Sequence, residues 1–106
     1  MTRILVHRDL GVSPVHHHAE SEAGIYVLKG SSTFFFGPDL RQRIDIGQGD
    51  FLFIPAWTIH AEAVTSAEQC DMIMARSTPD PKSVNLHDLK VPEEVLHEAG
   101  FAAAAP

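Results

Sequence analysis

Apolar residues come in short runs along most of the chain, and Gly, Pro, Asp or Ser closes nearly every run. The first run covers residues 4–7, and Ser13-Pro14 breaks the chain after it. Residues 15–22 fit an extended segment. Residues 25–28, "IYVL", are β-branched and aromatic, and "KGSS" follows them as a turn. Residues 33–36 form the next run, closed by Gly37-Pro38-Asp39. Over residues 40–46, Arg41, Arg43 and Asp45 alternate with Gln42, Ile44 and Ile46. A turn at "GQGD" leads into residues 51–54, which Pro55 ends. Residues 59–65 and 71–75 complete the set. Strand-like runs at such short intervals, punctuated by turn residues, predict an all-β sandwich or barrel.

The C-terminal part reads differently. "STPDPKS" is a turn-rich break, and "VPEEVLHEAG" carries helix punctuation. Pro92 suits the first helical position, Glu93 and Glu94 suit the positive end of the helix, and Gly100 suits the residue past its end. This predicts a short helix outside the β core, either a packing appendage or a dimer contact. "FAAAAP" reads as a frayed tail that Phe101 could anchor.

Length and composition narrow the class. A chain of 106 residues is expected to form one domain. With 44% hydrophobic residues it can bury a core without disulfide staples. Cys70 is the single cysteine. It therefore has no partner within the chain, which points to a reducing compartment, and it reads as a small buried apolar residue. The apolar run at residues 4–6 is too short for a signal sequence or a membrane span, so a cytoplasmic location is expected. The net charge is −6 and the basic residues are scattered, which argues against nucleic-acid or acidic-membrane partners.

Two constellations carry candidate chemistry. In an extended "VHHHAESE", residues two apart share a face. His16, His18, Glu20 and Glu22 would then lie on one side, and His17, Ala19 and Ser21 on the other. Facing outward, the row is a polar surface. Facing inward, it needs pairing or a metal ion. Two imidazoles and a carboxylate are a set that Fe(II), Mn(II) or Zn(II) accepts. The second constellation is "GQGDFLFIPAWTIH", in which His60 follows the turn after Pro55. Such a histidine is either a satisfied core residue or a ligand at a barrel mouth.

Taken together, H-x-H-x-x-x-E at His16, His18 and Glu22, then Gly30, then Gly49, Asp50, Pro55 and His60, resemble the paired motifs of the cupin superfamily. The resemblance covers residues 10–77 and leaves 78–106 as a C-terminal extension. It implies a single-domain jelly-roll β-barrel with one divalent transition metal (Fe, Mn, Zn or Ni) in its mouth, held by His16, His18, Glu22 and His60. It also implies a homodimer. The chain departs from the pattern at three places. Seven residues separate Glu22 from Gly30 where the motif has six, so counting back from Gly30 places Ala23 at the glutamate position. A β-bulge near Gly24 would absorb the extra residue, and Glu20 is the other candidate carboxylate. Trp57 stands at a motif glycine and Val64 at a motif asparagine.

The resemblance implies a metal-dependent enzyme, dioxygenase-like or isomerase-like, acting on a small organic molecule in the barrel. The competing readings are a non-catalytic small-molecule binding or sensing barrel and a barrel with a vestigial site. The catalytic residues are left open. By alternation, Tyr26 or Phe34–Phe36, Phe51/Phe53 or Leu52/Ile54, and Met72/Met74 or Ile73 would make a mainly apolar cavity. Arg41 and Arg43 fit an exposed sheet face better than the interior. Trp57 reads as either a substrate-contacting lid or a packed anchor. His7, His87 and His97 have no motif context and read as surface, and His17 as exposed or at a dimer contact.

Overall fold

A computed structural model describes residues 1–79 and 82–101. Its strands are β1 (Thr2–Val6), β2 (His16–His17), β3 (Ala23–Lys29), β4 (Ser31–Phe36), β5 (Gln42–Gly47), β6 (Phe51–Ile54), β7 (His60–Val64), β8 (Cys70–Arg76) and β9 (Val84–Asn85), followed by helix α1 (Glu93–Glu98). Two antiparallel sheets result, ordered β1-β8-β3-β6 and β5-β4-β7-β2-β9. They face each other as the layers of a jelly roll without closing into one hydrogen-bonded barrel.

The period-2 pattern sorts residues between two cores. Ile25, Val27, Ile54, Cys70 and Met72 on one sheet meet Phe34, Ile46 and Val64 on the other, filling the space between the layers. The alternate residues of the larger sheet point outward. Phe35 and Ala61 are fully buried there under Leu40, Val91, Val95 and Leu96. The C-terminal segment is therefore a cover over the outer face of that sheet. Its end is fixed locally. Gly100 has φ +86°, its N–H donates to His97 O, and the Phe101 N–H donates to Leu96 O. This double closure satisfies carbonyls at the helix end. Phe101 then packs edge-on against Phe35 at a centroid distance of 6.0 Å, so the anchor is real. Residues 102–106 lie outside the described residues. Pro92 is the residue flanking the helix rather than its first member.

Several sequence expectations shift. Residues 15–22 are extended only at His16–His17. Ala19 takes φ +53° and the Ser21 N–H donates to His18 O, so a turn ends the alternation after His18. The irregularity in β3 falls between Val27 and Lys29 rather than at Gly24. Gly24 serves packing instead, because a Cβ there would lie 2.8 Å from the Phe51 ring. Strand β9 was not anticipated, and residues 40–41 precede β5 as a turn, with Leu40 at φ +60°.

Candidate metal centre

The register of β2 against β7 builds the site. His16 lies directly opposite His60, and both side chains are buried on the face that looks between the sheets. His18, at the end of the β2 segment, joins them. The three histidines offer ligand atoms that lie within 4.8 Å of one another. Their ring centroids are 4.3 Å apart for His16 and His60, and 4.9 Å for His16 and His18.

The backbone fixes which nitrogen of each ring is free. His16 Nδ1 is 2.7 Å from Pro14 O, His18 Nδ1 is 3.0 Å from Lys82 O, and His60 Nδ1 is 2.9 Å from Thr58 O. A carbonyl oxygen only accepts, so each Nδ1 carries the proton and donates it. In the neutral ring the Nε2 atom is then left with a lone pair. This is the arrangement that orients metal-bound histidines elsewhere. Burial pushes the His60 pKa down to about 4, against the favourable hydrogen bond to Thr58. Burial lowers His18 as well. Burial thus favours the uncharged ring at both positions, which is the form that binds metal.

Of the carboxylates expected here, Glu20 and Glu22 are exposed and stand outside the three-histidine group. The left-handed Ala19 and its turn carry them away from the face that His16 and His18 share. The carboxylate beside the histidines is Glu62. Its Oε2 lies 3.5 Å from His60 Nε2 and 3.8 Å from His16 Nε2. That oxygen is buried with no hydrogen-bond partner among the described residues, and so is one guanidinium nitrogen of Arg76. Burial raises the Glu62 pKa, with His16 and Arg76 opposing. Both residues escaped the sequence reading, yet the signal was present. Glu62 follows His60 at the same-face spacing, and Arg76 continues the inward row Met72, Met74.

A set of three converging imidazoles fits a divalent cation, with the buried Glu62 oxygen beside two of them but outside that group. Without one, several lone pairs converge on each other. The segment around Pro14 holds the set from outside: Ser13 N–H donates to Glu62 O, and Ser13 Oγ accepts from Glu62 N–H.

The histidines open on a cavity of about 410 Å³ between the sheets. Ile25, Phe34, Ile54, Met72 and Met74 supply apolar wall, and Arg76 supplies a cation. Tyr26, Phe51 and Phe53 are exposed on the outer face of the smaller sheet and line no part of this cavity. Arg41 and Arg43 lie outside, as expected, and Arg41 pairs with Asp39 and Glu94. His7, His87 and His97 are exposed. His17 is half-buried beside Trp57, at 5.5 Å between rings. Trp57 itself is 60% exposed. Its φ of +63° is one that glycine takes without strain, and its N–H donates to Ala19 O, so the two left-handed turns flanking the site are tied together.

Residues 7–76 match the family model of the cupin domain. No protein of curated function matches the chain. Among solved structures, a polyketide cyclase from Streptomyces resistomycificus aligns with 23% identity and a TM-score of 0.60, over 93% of this chain and 64% of that one. A cupin-like protein from Thermotoga maritima aligns with 17% identity and a TM-score of 0.64, over 92% and 69%. An oxalate oxidase aligns with 18% identity and a TM-score of 0.63, over 92% and 52%. At these identities the likeness establishes the fold. The chain spans just under two thirds of the polyketide cyclase and about half of the oxalate oxidase.

Proposed function

The chain belongs to the cupin domain family, and we propose that it is a metal-dependent enzyme, of dioxygenase or isomerase type, acting on a small and mainly apolar organic molecule. One observation carries this reading. Three histidines, each with its Nδ1–H committed to a backbone carbonyl, bring ligand atoms within 4.8 Å of one another on the wall of an apolar cavity. His16, His18 and His60 would hold the ion. When bound, a divalent transition metal supplies Lewis-acid polarisation and, if redox-active, a binding position for O₂.

The chain's own residues do the rest. Phe34, Ile54, Met72 and Met74 exclude water and hold the apolar body of the substrate. Arg76 offers a buried N–H, otherwise unpartnered among the described residues, to an acceptor atom of the substrate. The oxalate oxidase and the polyketide cyclase share this fold with different substrates, so substrate choice rests on the cavity wall rather than on the fold.

A cytoplasmic location and a homodimer belong to the same proposal. The location is supported by the single, buried, unpaired cysteine and by the absence, among the described residues, of a helix long and apolar enough to cross a membrane. For the dimer, Tyr26, Phe51 and Phe53 form an exposed apolar patch on the outer face of the smaller sheet, the face open to a second copy.

The test is elemental analysis of untagged protein purified without added metal or chelator, beside a His60→Ala variant. Near-stoichiometric iron or manganese in the wild type, lost in the variant, is expected. Oxygen uptake and a substrate panel then follow. A metal-loaded protein that turns over nothing would favour a binding or sensing barrel. Full metal retention in His60→Ala would overturn the site.

A further inference from the structure

The carboxylate that the paired motifs place after the second histidine is missing from the cluster, and a different one is beside it. Resting on the metal reading above, we propose that Glu62 is the fourth protein donor to the ion, replacing the glutamate expected at residues 20–22.

Four observations on β7 and its neighbour carry this. Glu62 lies two residues after His60 on one strand, so both side chains face the cavity. Its Oε2 lies 3.5 Å and 3.8 Å from the Nε2 atoms of His60 and His16. Two donors bound to one ion at about 2.1 Å each stand roughly 3 to 3.5 Å apart, so the oxygen stands close to coordinating separation from two of the three histidines. It lies outside the 4.8 Å group that these form with His18, and the side chain would have to close on the ion to join it. The same oxygen is buried and unbonded among the described residues, a state whose desolvation an ion would offset. Glu20 and Glu22, the alternatives, are exposed beyond the left-handed turn at Ala19.

The strand register adds an arrangement. Because His16 pairs antiparallel with His60, stepping two residues forward on β2 and two forward on β7 moves in opposite directions. His18 and Glu62 therefore flank the central histidine pair from opposite sides. β2 with the residue that follows it supplies H-x-H, and β7 supplies H-x-E. Backbone pairing fixes the spacing, and Ser13 clamps Glu62 by hydrogen bonds to both its N–H and its C=O.

The experiment titrates metal-free wild type, Glu62→Gln, Glu22→Gln and His60→Ala with Co(II), followed by visible absorption and by competition with a chromophoric chelator. Glu62→Gln is expected to weaken binding at least about tenfold, the lower bound set by loss of residues that merely support a ligand, and to change the Co(II) spectrum. Glu22→Gln should match the wild type in both. Wild-type affinity and spectrum in Glu62→Gln, with binding lost in His60→Ala, would overturn the donor assignment and leave the metal site standing. A loss in Glu22→Gln would overturn it too. Failure of the wild type to bind Co(II) would remove the metal reading and this assignment together. If Glu62→Gln fails to fold, Glu62→Asp keeps the charge but withdraws the oxygen. It should then show weakened binding and an altered spectrum, and wild-type values in it would count against the assignment.

Discussion

Replacing Leu96 by alanine tests whether the C-terminal helix is part of the structure that holds the site. Leu96 is 4% exposed and packs with Phe35, Ala61 and Val95 on the outer face of the histidine-bearing sheet. Ala61 sits between His60 and Glu62 on β7, so this packing backs the strand that presents both. The substitution removes three carbon atoms from a dry environment. At about 0.8 kcal/mol each, transfer alone costs roughly 2.4 kcal/mol. The cavity left behind adds to this, up to the 5 kcal/mol seen for the worst sites. A loss of about 3 kcal/mol is expected, because Leu96 is held between a helix and a sheet that cannot readily close up. The assay is urea unfolding of chelator-treated protein, read as a fall in the midpoint at unchanged slope. Leu89→Ala is the control. Leu89 is 38% exposed and should cost less than about 1 kcal/mol. A Leu96→Ala variant within about 0.5 kcal/mol of the wild type would show that the helix does not cover the sheet in solution.

Further outcomes follow from other residues. His60 has its pKa depressed to about 4 from an ordinary value near 6.5, so the folded chain binds fewer protons than the unfolded one between these values. Stability of the metal-free protein from this source is present above pH ~6.5 and falls away toward pH ~4, by up to about 3 kcal/mol. The difference between wild type and His60→Gln in urea titrations should change across that window, and a constant difference would refute it. Gly30→Ala forces a side chain onto φ +87° with its Cβ 2.9 Å from the Gln69 carbonyl oxygen. It should cost about 1–3 kcal/mol in thermal or urea unfolding, and a neutral result would mean the β3–β4 turn sits elsewhere. If the proposed homodimer forms through this patch of Tyr26, Phe51 and Phe53, the wild type runs as a dimer and the combined Phe51→Ser and Phe53→Ser variant as a monomer in size-exclusion chromatography with light scattering. A monomeric wild type would refute the dimer. An unchanged mass would place any dimer contact on another face.

Much of the architecture was legible because it depends on local periodicity. Alternation and turn residues located β3, β4, β6, β7 and β8 to within a residue or two, and Pro92 with Gly100 bracketed α1. The His16, His18 and His60 group was legible through the resemblance to the paired cupin motifs, not through periodicity alone. H-x-H by itself offers two rings to one face, and His60 by itself reads as a core residue or a ligand; the paired motifs joined them. What failed was extrapolation through a local break. Nothing in "HHHAESE" announces that Ala19 goes left-handed, since alanine seldom does so. Alternation was therefore carried on to Glu20 and Glu22, where the chain no longer followed it.

The sequence by itself determined which residues could share a face, where strands had to end, and that three histidines were available as donors. Those properties follow from a two-residue repeat and from the backbone preferences of Gly and Pro. Only the tertiary structure decided which face looked inward, which carboxylate stood beside the histidines and which arginine entered the cavity. These depend on pairing between distant segments. His16 meets His60 across forty-four positions of chain (60 minus 16), His18 is held by the Lys82 carbonyl, and Glu62 is clamped by Ser13. No local pattern encodes those contacts, because each exists only after long-range burial has repaid the entropy of bringing the segments together.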